Sequence, residues 1–72
     1  MGEPHYLIKW FAFDHLPDGI MRDTSRKFYD LATEVDVYLS NGAEKSAALR
    51  HLLEAKDAAV RAAMETPVPL SE

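Results

Sequence analysis

The sequence predicts an all-α protein, an antiparallel helical hairpin with an extended or short-helical aromatic N-terminal arm, which assembles into a homo-oligomeric helical bundle. Three observations predict this fold. The longest helical pattern in the 72 residues runs from Ser40 to Met64, with apolar residues at i, i+3 and i+4 spacing. A second pattern of the same period precedes it. The connection between them, residues 40–42, is so short that the two helices must run antiparallel.

The second helix is amphipathic, and only Lys56 interrupts its apolar stripe. Asn41, followed three residues later by Glu44, predicts a capped start, and Pro67 and Pro69 mark the end. Alanines line its flanks and favour a second contact surface, although alanine is also simply the best helix former. The stripe consists of Leu49, Leu52, Leu53, Ala59, Val60, Ala63 and Met64.

The first helix follows a turn at residues 16–19, where proline and glycine supply the backbone angles that a turn needs. Asp23 or Thr24 is expected to cap its start. Tyr29, Val37 and Tyr38 are expected to lie off the inward face. That face is predicted to consist of Phe28, Leu31, Ala32, Val35 and Leu39.

We expect one domain over residues 5–65, a frayed N-terminus over 1–4 and a flexible tail over 66–72. Residues 5–13 form an aromatic arm, which is expected to lie across its own hairpin or a neighbour's. A chain this short buries little apolar area and usually needs a further source of stability, such as a disulfide, a metal ion or self-association. It has no cysteine for a disulfide, so homo-oligomerisation is the expected source.

Charge and composition exclude several classes of function. The net charge of −4 argues against binding of DNA or RNA polymers, which requires a broad basic surface. No apolar run approaches the roughly 20 residues of a membrane span, and no signal peptide is visible, so a cytoplasmic protein without membrane contact is expected. The histidines lack metal-ligand spacing and the carboxylates are scattered. We therefore expect no metal, no cofactor and no enzymatic activity.

Two local features could bind a ligand. The arm holds four aromatic residues, which could stack on nucleobases or could form the core. Arg22, Arg26 and Lys27 lie near the start of the first helix, where anions are favoured; they could meet phosphate, or they could belong to a solvated face paired with Asp23 and Asp30. The arm aromatics are Tyr6, Trp10, Phe11 and Phe13.

Several short motifs over residues 10–64 resemble the small phage proteins of the anti-CBASS cyclic-nucleotide sponge family, whose hairpin domain also occurs in one class of anti-Thoeris sponge. The motifs are Phe11-Ala-Phe13, Leu16-Pro17, Leu31-Ala32, Glu44-Lys45-Ser46-Ala47-Ala48-Leu49 and Leu52-x-Glu54-Ala55.

The resemblance implies a compact homo-oligomer, commonly a hexamer, that sequesters cyclic di- or trinucleotide immune signals in the cytoplasm of an infected bacterial host without cleaving them. It implies that Phe13, standing where the family has a tyrosine, stacks on a base, and that Arg26 or Lys27 meets phosphate. The open alternatives are a structural or interaction module without a small ligand and a regulatory partner protein. The candidate ligand-binding residues are Phe11, Phe13, His15, Arg22, Arg26, Lys27 and Arg61.

Overall fold

The computed structural model describes residues 4–66, and all regular structure in this part of the chain is helical. A single-turn 3-10 helix, Ile8–Phe11, precedes two long helices, α1 (Ile20–Tyr38) and α2 (Ala43–Glu65). The four residues between α1 and α2 reverse the chain, so that the two helices pack antiparallel against each other. The helical hairpin predicted from the sequence is therefore confirmed.

The arm packs on the hairpin from its loop end towards the start of α1. His5 contacts Asp36 near the end of α1, Lys56 of α2 donates a hydrogen bond to the carbonyl of Trp10 at 3.1 Å, and Phe13 contacts Tyr29. The frayed segment and the flexible tail predicted at the termini lie, apart from Pro4 and Thr66, outside the described residues. Both of these terminal residues are exposed.

The core lies where the three helical elements meet. Phe11 of the 3-10 helix, Ala32 of α1 and Leu49 of α2 are each 0 % exposed and form one cluster. The small Ala32 side chain leaves room for the Phe11 ring, so the arm fills the groove between the helices as a third layer. Around this cluster pack the partly buried residues Leu7, Ile8, Phe28, Tyr29, Val35, Leu52 and Leu53.

Both long helices begin after a glycine, and neither has the side-chain cap that the sequence suggested. α1 starts at Ile20, before the predicted caps Asp23 and Thr24, and its N-cap Gly19 has φ 138°, a region that glycine reaches at little cost. α2 starts after Gly42, and no side chain caps it. Asp23 and Glu44 still stabilise the helix starts, because they lie in the first turns. There, their negative charge interacts favourably with the positive end of each helix dipole.

The buried face of α1 is rotated relative to the predicted stripe. Leu31 and Leu39 were expected to face inward but are 46 % and 51 % exposed, whereas Tyr29, expected off the stripe, packs against the core. The reason is that the arm covers α1 from a second side. The buried face of α1 therefore contacts the arm as well as α2.

Several large apolar side chains remain exposed on the surface of the single chain. Trp10 is 57 % exposed and Tyr38 is 83 % exposed, and contiguous exposed apolar surface often marks an interaction site. In residues 4–66 we find no helix with the length and apolar character needed to cross a membrane. The exposed large apolar residues are Tyr6, Trp10, Leu31, Val37, Tyr38, Leu39 and Met64.

Candidate ligand-binding site

Phe13 lies where the arm leaves the core and meets α1. The backbone turns here, since the Leu16 N–H donates to the Phe13 carbonyl at 3.1 Å. The ring is partly buried and meets the edge of Tyr29 with centroids 5.5 Å apart. Part of its surface remains open to a ligand.

Two arginines of α1 lie beside the Phe13 ring. The guanidinium carbon of Arg22 is 5.7 Å from the ring centroid, and that of Arg26 is 5.8 Å away. The two residues are one helical turn apart, so both reach the same side of α1. Cations at this distance are attracted to an aromatic face. The arrangement combines a planar apolar surface with two positive groups.

The two arginines differ in their ionic partners. Arg22 pairs with Asp18 at 2.8 Å, but the Asp18 side chain is 95 % exposed, and an exposed pair of this kind is weak and readily exchanged. Within residues 4–66, Arg26 forms no ion pair with a carboxylate oxygen closer than 4.0 Å. Arg26 is therefore the more available of the two for a phosphate.

A shallow cleft of about 320 Å³ continues along the same helix. It is lined by Asp23, Arg26, Lys27 and Asp30, so two positive groups stand between two carboxylates along the helix. The carboxylates reduce the positive potential along this face. Of the two positive groups in this cleft, the guanidinium group of Arg26 also lies beside the Phe13 ring, 5.8 Å from its centroid.

The other predicted site residues are dispersed. Phe11 is buried in the core and has no exposed face on which a base could stack, so it is removed from the candidate site. His15 is exposed in the turn after Phe13, and Lys27 is exposed on α1. Arg61 is exposed near the end of α2, which the antiparallel packing places at the end of the hairpin where α1 begins.

At the opposite end of the hairpin, sequence reasoning missed a buried polar network. Lys45 is 5 % exposed, and its ammonium group pairs with Asp36 at 2.8 Å. The Lys45 hydrogen bond and the His5 backbone N–H together hold the pKa of Asp36 below its ordinary value, against the opposing effect of burial. The helical spacing could have indicated that these two residues are buried. Lys45 lies one turn before Leu49 and Asp36 lies one turn after Ala32, so each shares the buried face of its helix.

A larger cleft lies between the arm and the second half of α1. Its volume is about 470 Å³, within the size range of small-ligand pockets. Tyr29 connects the two regions, because it lines this cleft and also touches Phe13. The cleft is lined by Pro4, Ile8, Tyr29, Thr33, Asp36, Val37, Leu39, Ser40, Asn41 and Lys45.

The chain matches no family model, no curated protein and no solved structure in comparisons with known proteins. Its class therefore follows from its own geometry. It is a helical hairpin whose aromatic arm packs in the groove between the helices and presents one ring beside two arginines.

Proposed function

We propose that this protein is a phage counter-defence sponge that binds cyclic oligonucleotide immune signals and sequesters them without cleaving them. The observation that carries the proposal is the position of Phe13 beside Arg22 and Arg26. A nucleotide presents a flat base and an anionic phosphate a short distance apart. A ring that stacks and a guanidinium group that binds oxygen in a bidentate manner match these two parts.

The resemblance of the arm, loop and second-helix motifs to cyclic-nucleotide sponges supports the same function. It assigns base stacking to Phe13 and phosphate contact to Arg26 or Lys27. The geometry favours Arg26 for the phosphate, since its guanidinium group lies close to the ring. Lys27 lines the adjacent cleft, and in this proposal it meets a second phosphate of a cyclic ligand.

Self-assembly is part of the proposal. In a single chain more than half of the surface of each of four residues, Tyr6, Trp10, Val37 and Tyr38, is open to solvent. Burial of such surface is the main driving force of association. We propose a homo-oligomer, a hexamer by the family resemblance, in which pockets lie between protomers and neighbouring hairpins cover the open face of Phe13.

A thermal-shift screen tests whether the protein binds a cyclic nucleotide. The purified protein is heated with cyclic dinucleotides, cyclic trinucleotides and cyclic ADP-ribose isomers, with the matching linear dinucleotides and mononucleotides as controls. A ligand at 100 times its dissociation constant stabilises the folded state by about 2.7 kcal/mol. A rise in melting temperature with one cyclic class and none with its linear counterpart supports the proposal.

Recovery of the ligand distinguishes a sponge from an enzyme. After incubation the protein is denatured and the released nucleotide is analysed by chromatography. An intact cyclic ligand in stoichiometric amount agrees with sequestration. A linear or cleaved product, or no stabilisation by any cyclic nucleotide, contradicts the proposal.

The alternative is an assembly or interaction module without a small ligand. It is favoured by the exposed apolar residues Val37, Tyr38 and Leu39 at the loop end, which lie away from Phe13. Sedimentation at micromolar concentration separates the possibilities in combination with the screen. An oligomer that binds no cyclic nucleotide favours the alternative, and a folded monomer contradicts the self-assembly that is part of the sponge proposal.

A further inference from the structure

Asn41, in the loop between the two long helices, does not have the role that its position suggests. The sequence predicts that its side chain caps α2, but the residue that precedes this helix is Gly42, and no side chain caps the helix start. Asn41 is exposed. Its side-chain amide forms no hydrogen bond with any atom of residues 4–66. The amide is therefore open to chemical attack.

The backbone nitrogen that follows this amide is equally open. Gly42 is exposed, and a Cβ added to it would meet no other atom within 4 Å. Its N–H belongs to the helix end, where backbone donors have no partner within the helix, and it donates to no backbone carbonyl group of the described residues. Neither a side chain nor a hydrogen bond thus keeps this nitrogen from the side chain of Asn41.

We propose that Asn41 is a site of spontaneous deamidation. The Gly42 nitrogen loses its proton to base and attacks the side-chain carbonyl carbon of Asn41. A new C–N bond closes a succinimide ring, and the bond from this carbon to the side-chain nitrogen breaks. That nitrogen takes up a proton from the solvent and leaves as ammonia. One water molecule then opens the ring at either carbonyl group, which gives aspartate or isoaspartate at position 41.

The reaction changes the wall of the larger cleft. Asn41 lines this cleft together with Asp36 and Lys45, whose opposite charges are paired at 2.8 Å. These two are the charged residues of the lining, so their charges balance. A carboxylate at position 41 leaves the lining with a net negative charge, and isoaspartate also lengthens the backbone between α1 and α2. This inference is independent of any nucleotide ligand.

Intact-mass spectrometry of the full chain tests the site after incubation at mildly alkaline pH and physiological temperature. Asn41 is the single asparagine of the sequence, which has no glutamine, so any side-chain amide that is lost comes from this residue. We expect the mass increase that results when an amide NH₂ is replaced by OH. The rate should rise with pH because base removes the proton of the attacking nitrogen. Fragment spectra should place the change at residue 41, as aspartate and isoaspartate.

The charge of the product gives a second measurement. On native anion exchange the reacted chain should elute as a more acidic species, at the position of the variant Asn41→Asp. Asp18 also precedes a glycine and can form the same ring. Ring opening there restores the original mass and charge, so it does not interfere with either measurement.

Two comparisons make the test specific. A synthetic peptide of residues 37–45 gives the rate without the fold, and the folded chain should react at most about tenfold more slowly, the factor that corresponds to ordering one backbone residue. Asn41→Gln keeps a side-chain amide but requires a larger ring. In this variant the mass increase should be lost over the same period.

The proposal is overturned by any of three results. The first is a full chain that keeps its mass while the peptide reacts. The second is an acceleration by urea unfolding far beyond about tenfold. Either result would mean that the fold protects Asn41. The third is an equal rate of mass increase in Asn41→Gln, which would show that the change does not proceed through the succinimide at residue 41.

Discussion

Lys45 and Asp36 form an ion pair of 2.8 Å with side chains that are only 4 % and 13 % exposed. The same ammonium group donates to the carbonyl oxygens of Asp36 at 2.7 Å and Leu39 at 3.1 Å. All three N–H donors of Lys45 are therefore used. The start of α2 is tied to the end of α1 by a single side chain.

This arrangement also satisfies the end of α1. The last carbonyl groups of a helix have no partner within it, and they form the negative end of the helix dipole. The Lys45 ammonium group supplies hydrogen bonds and positive charge at this place. It thereby closes the four-residue loop, a role that no glycine or capping side chain of the loop fulfils.

Breaking the pair should destabilise the hairpin. Lys45→Met removes the positive partner of the Asp36 carboxylate and the donor to two carbonyl groups, so we expect a loss of about 3 kcal/mol in the free energy of unfolding. Asp36→Asn should also destabilise, and the double variant should lose less than the sum of the two single changes. Urea unfolding at low temperature measures all three variants.

The exposed pair of Asp18 and Arg22 provides the matched control. It has the same 2.8 Å distance but lies in solvent, so Asp18→Asn should change stability little. Equal losses for Asp18→Asn and Lys45→Met would show that burial of the ion pair does not matter.

Acid should weaken the fold through Asp36. The pKa of this carboxyl group is lower in the folded protein than its ordinary value, mainly because Lys45 and the His5 N–H bond to the charged form. The stabilisation is therefore fully present above the ordinary aspartate pKa and is lost as pH falls from there through the folded value. Urea midpoints measured across this interval should decline, and Asp36→Asn should flatten the decline. The exposed variant Asp14→Asn should keep the slope, and an unchanged slope in Asp36→Asn would assign acid sensitivity to other groups.

Truncation of Phe11 should be far more damaging than truncation of Trp10. Phe11 is 0 % exposed in the core and Trp10 is 57 % exposed, so Phe11→Ala should cost about 3–5 kcal/mol. Phe11→Leu, which keeps most of the apolar volume, should fold with a smaller loss. Thermal unfolding by circular dichroism gives the ranking Phe11→Ala, Phe11→Leu, Trp10→Ala from most to least destabilised. If Trp10→Ala is instead the most destabilising change, then Trp10 and not Phe11 is the arm aromatic that fills the core.

Ligand affinity should depend on the Phe13 ring. Phe13→Ala should weaken binding of the cyclic nucleotide by about 1–3 kcal/mol, the range for one stacked base. Phe13→Tyr keeps the aromatic face and should bind at least as well. Calorimetric titration and melting temperature are measured on the same two variants. If Phe13→Tyr folds poorly, or if both variants bind as the parent does, Phe13 is a packing residue and not a stacking residue.

Ligand affinity should also depend on the charges of α1. Replacing Arg26 and Lys27 with Gln should weaken binding by about 1.5–3 kcal/mol for each charge-assisted hydrogen bond that is lost, while the oligomer stays intact. Arg50→Gln, on the exposed face of α2, is the control and should leave affinity unchanged. Unaltered affinity in the Arg26 and Lys27 double variant would place the phosphates elsewhere, with Arg22 and Arg61 next to be tested.

The sequence by itself determined the two long helices and their antiparallel packing, because helical periodicity and a short connection are local properties that neighbouring residues specify. It also indicated that the arm is rich in aromatics and that positive charge gathers near the start of α1. Arg22 and Arg26 could be nominated from the sequence for this reason, and the family resemblance singled out Phe13 among the arm aromatics. The distances between these three side chains could not be predicted from the sequence.

Only the tertiary structure decided which arm aromatic enters the core and which polar residues are buried. Phe11 is inside and Trp10 outside because the arm meets Ala32 and Leu49, which come from two different helices. The contacts that hold the arm join residues 31, 41 and 46 positions apart in the chain, and no local pattern encodes them. The same docking turned Leu31 outward, made Phe11 unavailable for a ligand and buried Lys45 against Asp36, since the third layer fills the groove that a bare hairpin would leave open.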